Sequence, residues 1–235
     1  VDITNFFTYD TNRPLHVFDA DKLNGSSIRV HDALGGEKFS ALDDKEYVLS
    51  KGMTVISDSE GIESLAGIMG GSASGCTDTT ENVFIEAAYF NPIRTAYTGR
   101  ELKINSDARY RFERGIDPEW TAFGIEAATK MIIELCGGEP SNVVKAGEIP
   151  NHGRAYKVDT ARIESLVGMA IPPHKQLNIL ENLGFVIKGD TASVPSWRPD
   201  IQGEADLVEE IARVVSLTKL QGIPCLLYTS DAADE

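Results

Sequence analysis

The sequence contains few cysteines and no cysteine–histidine cluster, which argues against a zinc site. Its three cysteines, Cys76, Cys136 and Cys225, are scattered and form no CxxC pair. This pattern also disfavours a disulfide framework and fits a reducing compartment. No apolar run approaches the roughly 20 residues of a membrane-spanning helix, and no signal peptide is recognisable. We therefore expect a cytoplasmic protein with no metal site and no membrane association.

Positive charge is also scarce. The 235 residues include 22 Lys and Arg against 36 Asp and Glu, a net charge of −14, which at first opposes binding to nucleic acid. The distribution is uneven, because residues 94–114 hold six basic side chains against three acidic ones. From charge alone, a solvated and salt-bridged surface is the favoured interpretation. A basic strip that binds a phosphate backbone is the alternative.

The usual catalytic motifs are missing, among them GxSxG and HExxH. The stretch LAGIMGGSASGC, residues 65–76, spaces Gly70 and Gly75 as a P-loop does. A P-loop needs Lys followed by Ser or Thr directly afterwards, and here Cys76 and Thr77 occupy those positions. A nucleoside triphosphate site is therefore disfavoured. Two interpretations of the glycines remain: a turn between strands, or a pocket floor where a side chain would block the ligand.

The first part of the chain predicts a β-rich domain. Residues 1–93 contain short β-branched and aromatic segments separated by turn residues, which is typical of a barrel or sandwich. The expected strands lie in SSIRVHDA, EKFSALD, EYVLS, MTVISDSE and ENVFIEAAYF. A helix capped by Asp117 follows. Its apolar stripe, which we expect to lie in the core, consists of Trp120, Phe123, Ala127, Met131 and Leu135.

A second, smaller domain is expected after a boundary near residue 150. Residues 151–224 predict the order helix, helix, hairpin, helix, which resembles a winged-helix module, and the whole chain is therefore α+β. This segment carries eight basic and nine acidic residues, so we expect it to pack against other domains rather than to read nucleic acid. Residues 225–235 show no periodicity. We interpret them as a non-native tail on a gene fragment.

Four polar side chains in apolar surroundings are candidate ligand-binding groups. Glu86 lies among aromatics and alanines, where a carboxylate is costly unless it reaches solvent or accepts a hydrogen bond from a ligand. His16, in RPLHVFD, is either a satisfied structural histidine or a ligand contact. Thr4 and Asn5, in VDITNF, either serve turn chemistry or face a ligand. Since no nucleophile is recognisable, an aligned water would have to attack in any hydrolysis.

Eight motifs occur in an order that identifies a family. They are VDITNF, RPLHVFD, GIMGG, NVFIEAAYFNP, SDARYRFERGIDP, ELCGGEP, PSWRPDI and DLVEEIARV. Together they resemble the bacterial phenylalanyl-tRNA synthetase β subunit over residues 1–224. Within that resemblance, residues 1–150 correspond to its editing domain and residues 151–224 to the small helical domain that follows.

This resemblance implies an enzyme larger than the present chain. The whole enzyme charges tRNA(Phe) with phenylalanine, uses ATP and Mg²⁺, and is an α2β2 heterotetramer. Its α subunit holds the synthetic site, so no residue of that site is assigned here. The editing domain hydrolyses tyrosine that has been mischarged onto tRNA(Phe), and this reaction needs no cofactor.

The resemblance also implies roles for individual residues. Gly70 and Gly71 resemble the glycine floor of the editing pocket. Glu86 matches the carboxylate that reads the tyrosine hydroxyl, and His16 matches the histidine beside it. The other matches are Thr4 and Asn5, near the amino group of the substrate, and Ser106 and Ala108, on the opposite wall. Relatives often have Thr in place of Ser106.

The basic strip has a weaker assignment. We expect it to guide the end of the tRNA, chiefly through Arg94, Arg100, Arg109 and Arg111. One alternative to an editing hydrolase remains open: a structural or tRNA-positioning module whose editing pocket is silent.

Overall fold

The described part of the chain forms two compact units. The computed structural model describes residues 1–25 and 27–220, so the expected tail at 225–235 lies outside the described residues. The first unit comprises Val1–His152 together with Ser196–Asp200. The second unit comprises Gly153–Pro195 together with the described residues 201–220. Each unit has its own buried hydrophobic cluster.

Short antiparallel strands form the sheets of the first unit. Within its described residues they are β1 (Leu15–Asp19), β2 (Arg29–Asp32), β3 (Lys38–Ser40), β4 (Glu46–Val48), β5 (Thr54–Ser57), β6 (Ile62–Leu65), β7 (Met69–Gly70) and β8 (Val83–Ala87). One sheet has the order β2-β5-β6-β7, while β3 pairs with β4 and β1 pairs with β8. Phe39, Val55 and Leu65 are at most 1% exposed and anchor the core. Each predicted strand segment contains a strand, and the α+β class is confirmed.

Helices in the first unit are more numerous than the sequence predicts. They are α1 (Asp2–Asp10), α2 (Pro92–Glu101), α3 (Asp107–Phe112) and α4 (Trp120–Cys136). The β-rich prediction for residues 1–93 misses α1, and it gives no indication of α2 or α3. A start signal for α2 is nevertheless readable. The Asn91 side chain accepts hydrogen bonds from the N–H groups of Ile93 and Arg94, and Pro92 occupies the first helical position.

The prediction for the apolar stripe of α4 is wrong. Phe123 and Leu135 are 63% and 69% exposed, whereas the buried positions of α4 are Gly124 and Ala128. The helix turns its small residues inward because Arg13 fills that space: a Cβ added to Gly124 would lie 3.0 Å from Arg13 Cγ. Although α4 is apolar, no helix within the described ranges has both the length and the hydropathy needed to cross a membrane.

The second unit contains a helical core backed by a small sheet. Its described elements are β9 (Ala155–Lys157), α5 (Arg162–Val167), α6 (Pro173–Asn182), β10 (Val186–Lys188), β11 (Thr191–Ser193) and α7 (Glu204–Val215). The predicted helix–helix–hairpin–helix order is confirmed, and β9 adds a third strand beside β11. Leu180, Leu207 and Ile211 are at most 2% exposed at its centre. Val214, near the end of α7, is 47% exposed.

Candidate functional site

The pairing of β1 with β8 brings His16 and Glu86 together. The two residues lie directly opposite each other in the antiparallel register, as do Phe18 and Phe84 two pairs further along. Opposite residues project from the same face of the ribbon with Cβ atoms about 4.5–5.5 Å apart. The His16 ring meets Phe18 edge-on with centroids 4.3 Å apart. The sequence pattern places Glu86 and Phe84 on the same face of the predicted strand, but it does not predict strand β1.

Gly70 lies against the His16 ring of this pair. A Cβ added at Gly70 would lie 2.3 Å from His16 Cε1 and 2.7 Å from Nε2. Those separations are shorter than any van der Waals contact, so the ring could not keep its place beside a larger residue. Gly70 lies in β7 rather than in a turn, and the pocket-floor interpretation stays a prediction. The neighbour that approaches is the imidazole of His16.

The structure also bears on Gly71 and on the P-loop interpretation of this glycine stretch. A Cβ at Gly71 would lie 2.8 Å from the Glu63 carbonyl oxygen, so internal packing accounts for that glycine. Residues 71–82, all of them described, contain no helix, and an anion site of the P-loop type requires a helix directly after the loop. The Cys76 thiol lies 3.8 Å from the Val17 carbonyl oxygen, to which it donates. The sequence argument against a nucleotide site therefore gains structural support.

Burial perturbs the pKa values of both paired side chains. Desolvation raises the pKa of Glu86 from 4.5 to about 7, because dense protein surrounds the carboxyl although part of its surface remains accessible. Desolvation lowers the pKa of His16 from 6.5 to about 4. Neither side chain forms a hydrogen bond to another described residue. At neutral pH the site therefore combines an uncharged imidazole with a carboxyl group close to its midpoint of titration.

Thr4 and Asn5 lie on a helix rather than in a turn. Both belong to α1, which packs against β1. The Thr4 hydroxyl is buried and donates to the Val1 carbonyl oxygen at 2.7 Å. Asn5 is exposed. The structure thus brings α1 to the strand that carries His16, and Asn5 is the member of this pair whose side chain is open to solvent.

Ser106 and Ala108 mark the start of α3. The Ser106 hydroxyl donates to the Ile68 carbonyl oxygen at 2.6 Å and accepts from the Arg109 N–H at 3.1 Å. It is therefore the N-cap of α3 and a direct link to the GIMGG segment. Ala108 is partly buried and packs against an aromatic cluster that includes Phe18. Both residues contact elements of the candidate site from the side of α3.

The basic strip is not one continuous surface, and its assignment needs correction. Arg109 is only 8% exposed and forms an ion pair with Glu113 at 3.0 Å. Arg111 donates to the Thr8 carbonyl oxygen and pairs with Asp107, so it ties α3 to α1. Arg94 is exposed but pairs with Asp32 at 2.6 Å. Arg100 is exposed. Intramolecular pairing, the favoured interpretation of the charge pattern, accounts for Arg109 and Arg111.

Two family models match the chain. The "B3/4 domain" matches residues 1–137, and the "tRNA synthetase B5 domain" matches residues 156–216. Among curated proteins, the chain is 63% identical over 224 residues to a phenylalanine–tRNA ligase β subunit from Ruegeria pomeroyi. It is 61% identical over 224 residues to one from Cereibacter sphaeroides. These alignments cover 95% of this chain but only 28% of each relative. The resemblance inferred from the ordered motifs is confirmed.

A solved structure also aligns with the chain. It is an N-terminal fragment of the phenylalanyl-tRNA synthetase β subunit from Pyrococcus horikoshii, and the match covers 88% of this chain and 62% of that one. The sequence identity is 17% and the TM-score is 0.43. Both values are too low to support an argument about the site.

The contact between Gly70 and His16 predicts a specific sensitivity. We expect Gly70→Ala to lower the free energy of unfolding by about 1–3 kcal/mol, because the new methyl group must displace a packed ring. Gly61→Ala is the matched control, since an added Cβ there meets nothing within 4 Å and the backbone is not strained; it should stay within about 0.5 kcal/mol of wild type. Urea unfolding measures both. Equal stability of the two variants would contradict the described packing.

The buried carboxyl predicts a pH-dependent stability. Because the pKa of Glu86 is raised on folding, its contribution is favourable below pH 4.5 and is lost as the pH rises through about 7. Glu86→Gln should therefore match wild type at pH 4 and exceed it at pH 8. The gain at pH 8 is at most about 3 kcal/mol, from 1.36 kcal/mol per pKa unit. Urea unfolding at the two pH values checks this, and a constant difference would be inconsistent with a raised pKa.

Proposed function

The chain belongs to the B3/4 domain family, and from this membership we propose that its first unit hydrolyses tyrosine from mischarged tRNA(Phe). The larger protein is then the β subunit of a phenylalanine–tRNA ligase. It acts with an α subunit in an α2β2 heterotetramer in the cytoplasm. ATP and Mg²⁺ serve aminoacylation by the whole enzyme, while the editing step uses no cofactor. Residues 1–150 form the editing domain, and residues 151–224 have a structural role.

One observation carries the proposal: Glu86 and His16 face each other over Gly70, desolvated and without a described hydrogen-bonding partner. Unsatisfied buried polar groups are costly, and a ligand hydroxyl that pairs with them relieves that cost. The hydroxyl is the one group that distinguishes tyrosine from phenylalanine. A site that demands it rejects phenylalanine, whereas an apolar synthetic pocket rejects the added hydroxyl only weakly.

The protonation states suit recognition of a phenol. Neutral His16 offers one donor and one acceptor. Ionised Glu86 only accepts, so the tyrosine hydroxyl can donate to Glu86 while it accepts from the His16 ring. A hydrogen bond from the ligand stabilises the carboxylate and lowers the pKa of Glu86 again, which draws the group into its charged form on binding. Glu86 is thus a specificity residue in this proposal rather than a general base.

Water is the proposed nucleophile. The Gly70 carbonyl oxygen accepts from the Leu42 N–H at 3.0 Å and keeps a second lone pair that could align a water molecule. A terminal hydroxyl of the tRNA could assist the proton transfer. Of the basic strip, exposed Arg94 and Arg100 remain the proposed contacts with the tRNA end.

A deacylation assay tests the function. Residues 1–224 are grafted into the β subunit of a full-length relative, which is then paired with its α subunit and given tyrosyl-tRNA(Phe). We expect fast hydrolysis that spares phenylalanyl-tRNA(Phe). Glu86→Ala should lower kcat/KM by roughly 10- to 100-fold, because a hydrogen bond to a charged group contributes about 1.5–3 kcal/mol. The preference for tyrosine should also weaken as the pH falls from 8 to 6 and Glu86 gains its proton.

Glu81→Ala is the matched control for this assay. Glu81 is exposed and precedes β8 by two residues. Glu81→Ala therefore changes the net charge by the same amount as Glu86→Ala but leaves the pocket unaltered. A graft that charges tRNA normally but hydrolyses no tyrosyl-tRNA(Phe) would overturn the editing proposal. The alternative function, a structural or tRNA-positioning module with a silent pocket, would then replace it.

A further inference from the structure

A buried arginine holds the corner between α2 and α3. Arg109 Nη1 donates to the Ile104 carbonyl oxygen and to Asn105 Oδ1, and its Nε donates to Glu113 at 3.0 Å. The corner includes Lys103 at φ 55°, a left-handed conformation that is uncommon for a side-chain-bearing residue. Such a conformation persists only where surrounding contacts fix it. Two backbone hydrogen bonds hold the corner, from the Lys103 N–H to the Arg100 carbonyl oxygen and from the Ile104 N–H to the Gly99 carbonyl oxygen. The Arg109 side chain adds its bonds to Ile104 and Asn105.

Gly99 makes room for this arginine. A Cβ added at Gly99 would lie 2.2 Å from Arg109 Nε and 2.3 Å from Cδ. The side chain therefore crosses α2 where that helix has no side chain. A guanidinium presents several donors in a fixed plane, and a lysine offers one rotating ammonium group. Lysine would keep the charge at this position but could not hold the carbonyl, the amide and the carboxylate together.

The corner is joined to the pocket floor through Ser106. The Arg109 N–H is bound by the Ser106 hydroxyl, which in turn donates to the Ile68 carbonyl oxygen. Ile68 is followed by β7, whose Gly70 lies against the His16 ring. Neighbouring contacts brace the same segment, since the Ser64 hydroxyl donates to the Met69 carbonyl oxygen at 3.2 Å. The Arg109 N–H that Ser106 accepts belongs to the backbone, whereas the guanidinium holds the two residues before Ser106, since Nη1 donates to the Ile104 carbonyl oxygen and to Asn105 Oδ1. Through Ser106 and Ile68, these contacts lead from the guanidinium to Gly70 and His16.

We propose that Arg109 is a positioning residue for the editing pocket, acting through Ser106 and the Ile68–Gly70 backbone to set the place of His16 opposite Glu86. This proposal rests on the proposed function. It assigns to Arg109 a role other than contact with RNA, since the residue is only 8% exposed and its Nε and Nη1 both donate to protein acceptors. In this proposal Ser106 contributes only its hydroxyl, so threonine can replace it.

Kinetics of the grafted holoenzyme separate positioning from RNA contact. We expect Arg109→Lys to lower kcat for tyrosyl-tRNA(Phe) at least fivefold with little change in KM or in its salt dependence, because the tRNA loses no contact. Ser106→Ala should have a similar effect, and Ser106→Thr should retain most of the activity. The double variant Arg109→Lys/Ser106→Ala should be no worse than about the poorer single variant, because both act on one linkage. Fold-changes that multiply, or an increase in KM alone, would overturn the proposal.

A second readout is independent of catalysis. The chain has four histidines, so the His16 ring can be assigned by substitution and titrated by NMR in the 235-residue chain. If the floor relaxes, the ring gains solvent and the pKa of His16 rises from about 4 toward 6.5 in Arg109→Lys and in Ser106→Ala. Near-ultraviolet circular dichroism confirms that each variant is folded.

The same titration includes a control variant on α2. Arg94→Lys alters an exposed ion pair on α2 and should leave the pKa of His16 at its wild-type value. An unchanged His16 titration in folded Arg109→Lys and Ser106→Ala would overturn the positioning role. If the wild-type graft failed to deacylate tyrosyl-tRNA(Phe), the proposed function would fall, while the titration would still decide whether Arg109 positions His16.

Discussion

The site depends on the partial burial of two facing polar groups, His16 and Glu86, in dense protein surroundings. Their cross-strand register places them side by side, and the absence of a side chain at Gly70 lets the imidazole settle against the backbone. Burial then shifts the pKa values of the two groups in opposite directions, toward the neutral form of each. Desolvation is therefore the cost of the site, and in the proposed function it is also the source of selectivity, because a buried group without a partner favours a ligand that supplies one.

The rest of the first unit stabilises the arrangement of this desolvated pair. The ribbon that carries the pair is flanked by the buried ring of Phe18, and the glycine floor belongs to a sheet anchored by Val55 and Leu65. Arg13 donates to the Ala88 carbonyl oxygen and Arg111 donates to the Thr8 carbonyl oxygen, so each links segments that are far apart in the sequence. Arg109 and Arg111, which belong to the basic strip considered for nucleic acid, thus form contacts within the protein.

The sequence predicts much of the fold and the identity of the site, but not its internal connections. The alternation around Glu86 is local, so β8 and its polar face can be read directly. The partner strand could not be paired with it, because register between residues 16 and 86 is a long-range property. The misplaced stripe of α4 has the same cause: helical periodicity shows an apolar face, whereas the choice of Gly124 and Ala128 as the buried face depends on Arg13. Burial of Arg109 likewise depends on Gly99, ten residues away on another helix.

The most direct test of the central claim is a comparison of two ligands that differ by one hydroxyl. Adenosine carrying tyrosine or phenylalanine through a non-hydrolysable 3′-amide is titrated calorimetrically into the 235-residue chain at pH 8. If the desolvated pair reads the hydroxyl, the tyrosyl compound binds at least about tenfold more tightly, a difference of roughly 1.4 kcal/mol. Equal Kd values for the two compounds would contradict the account.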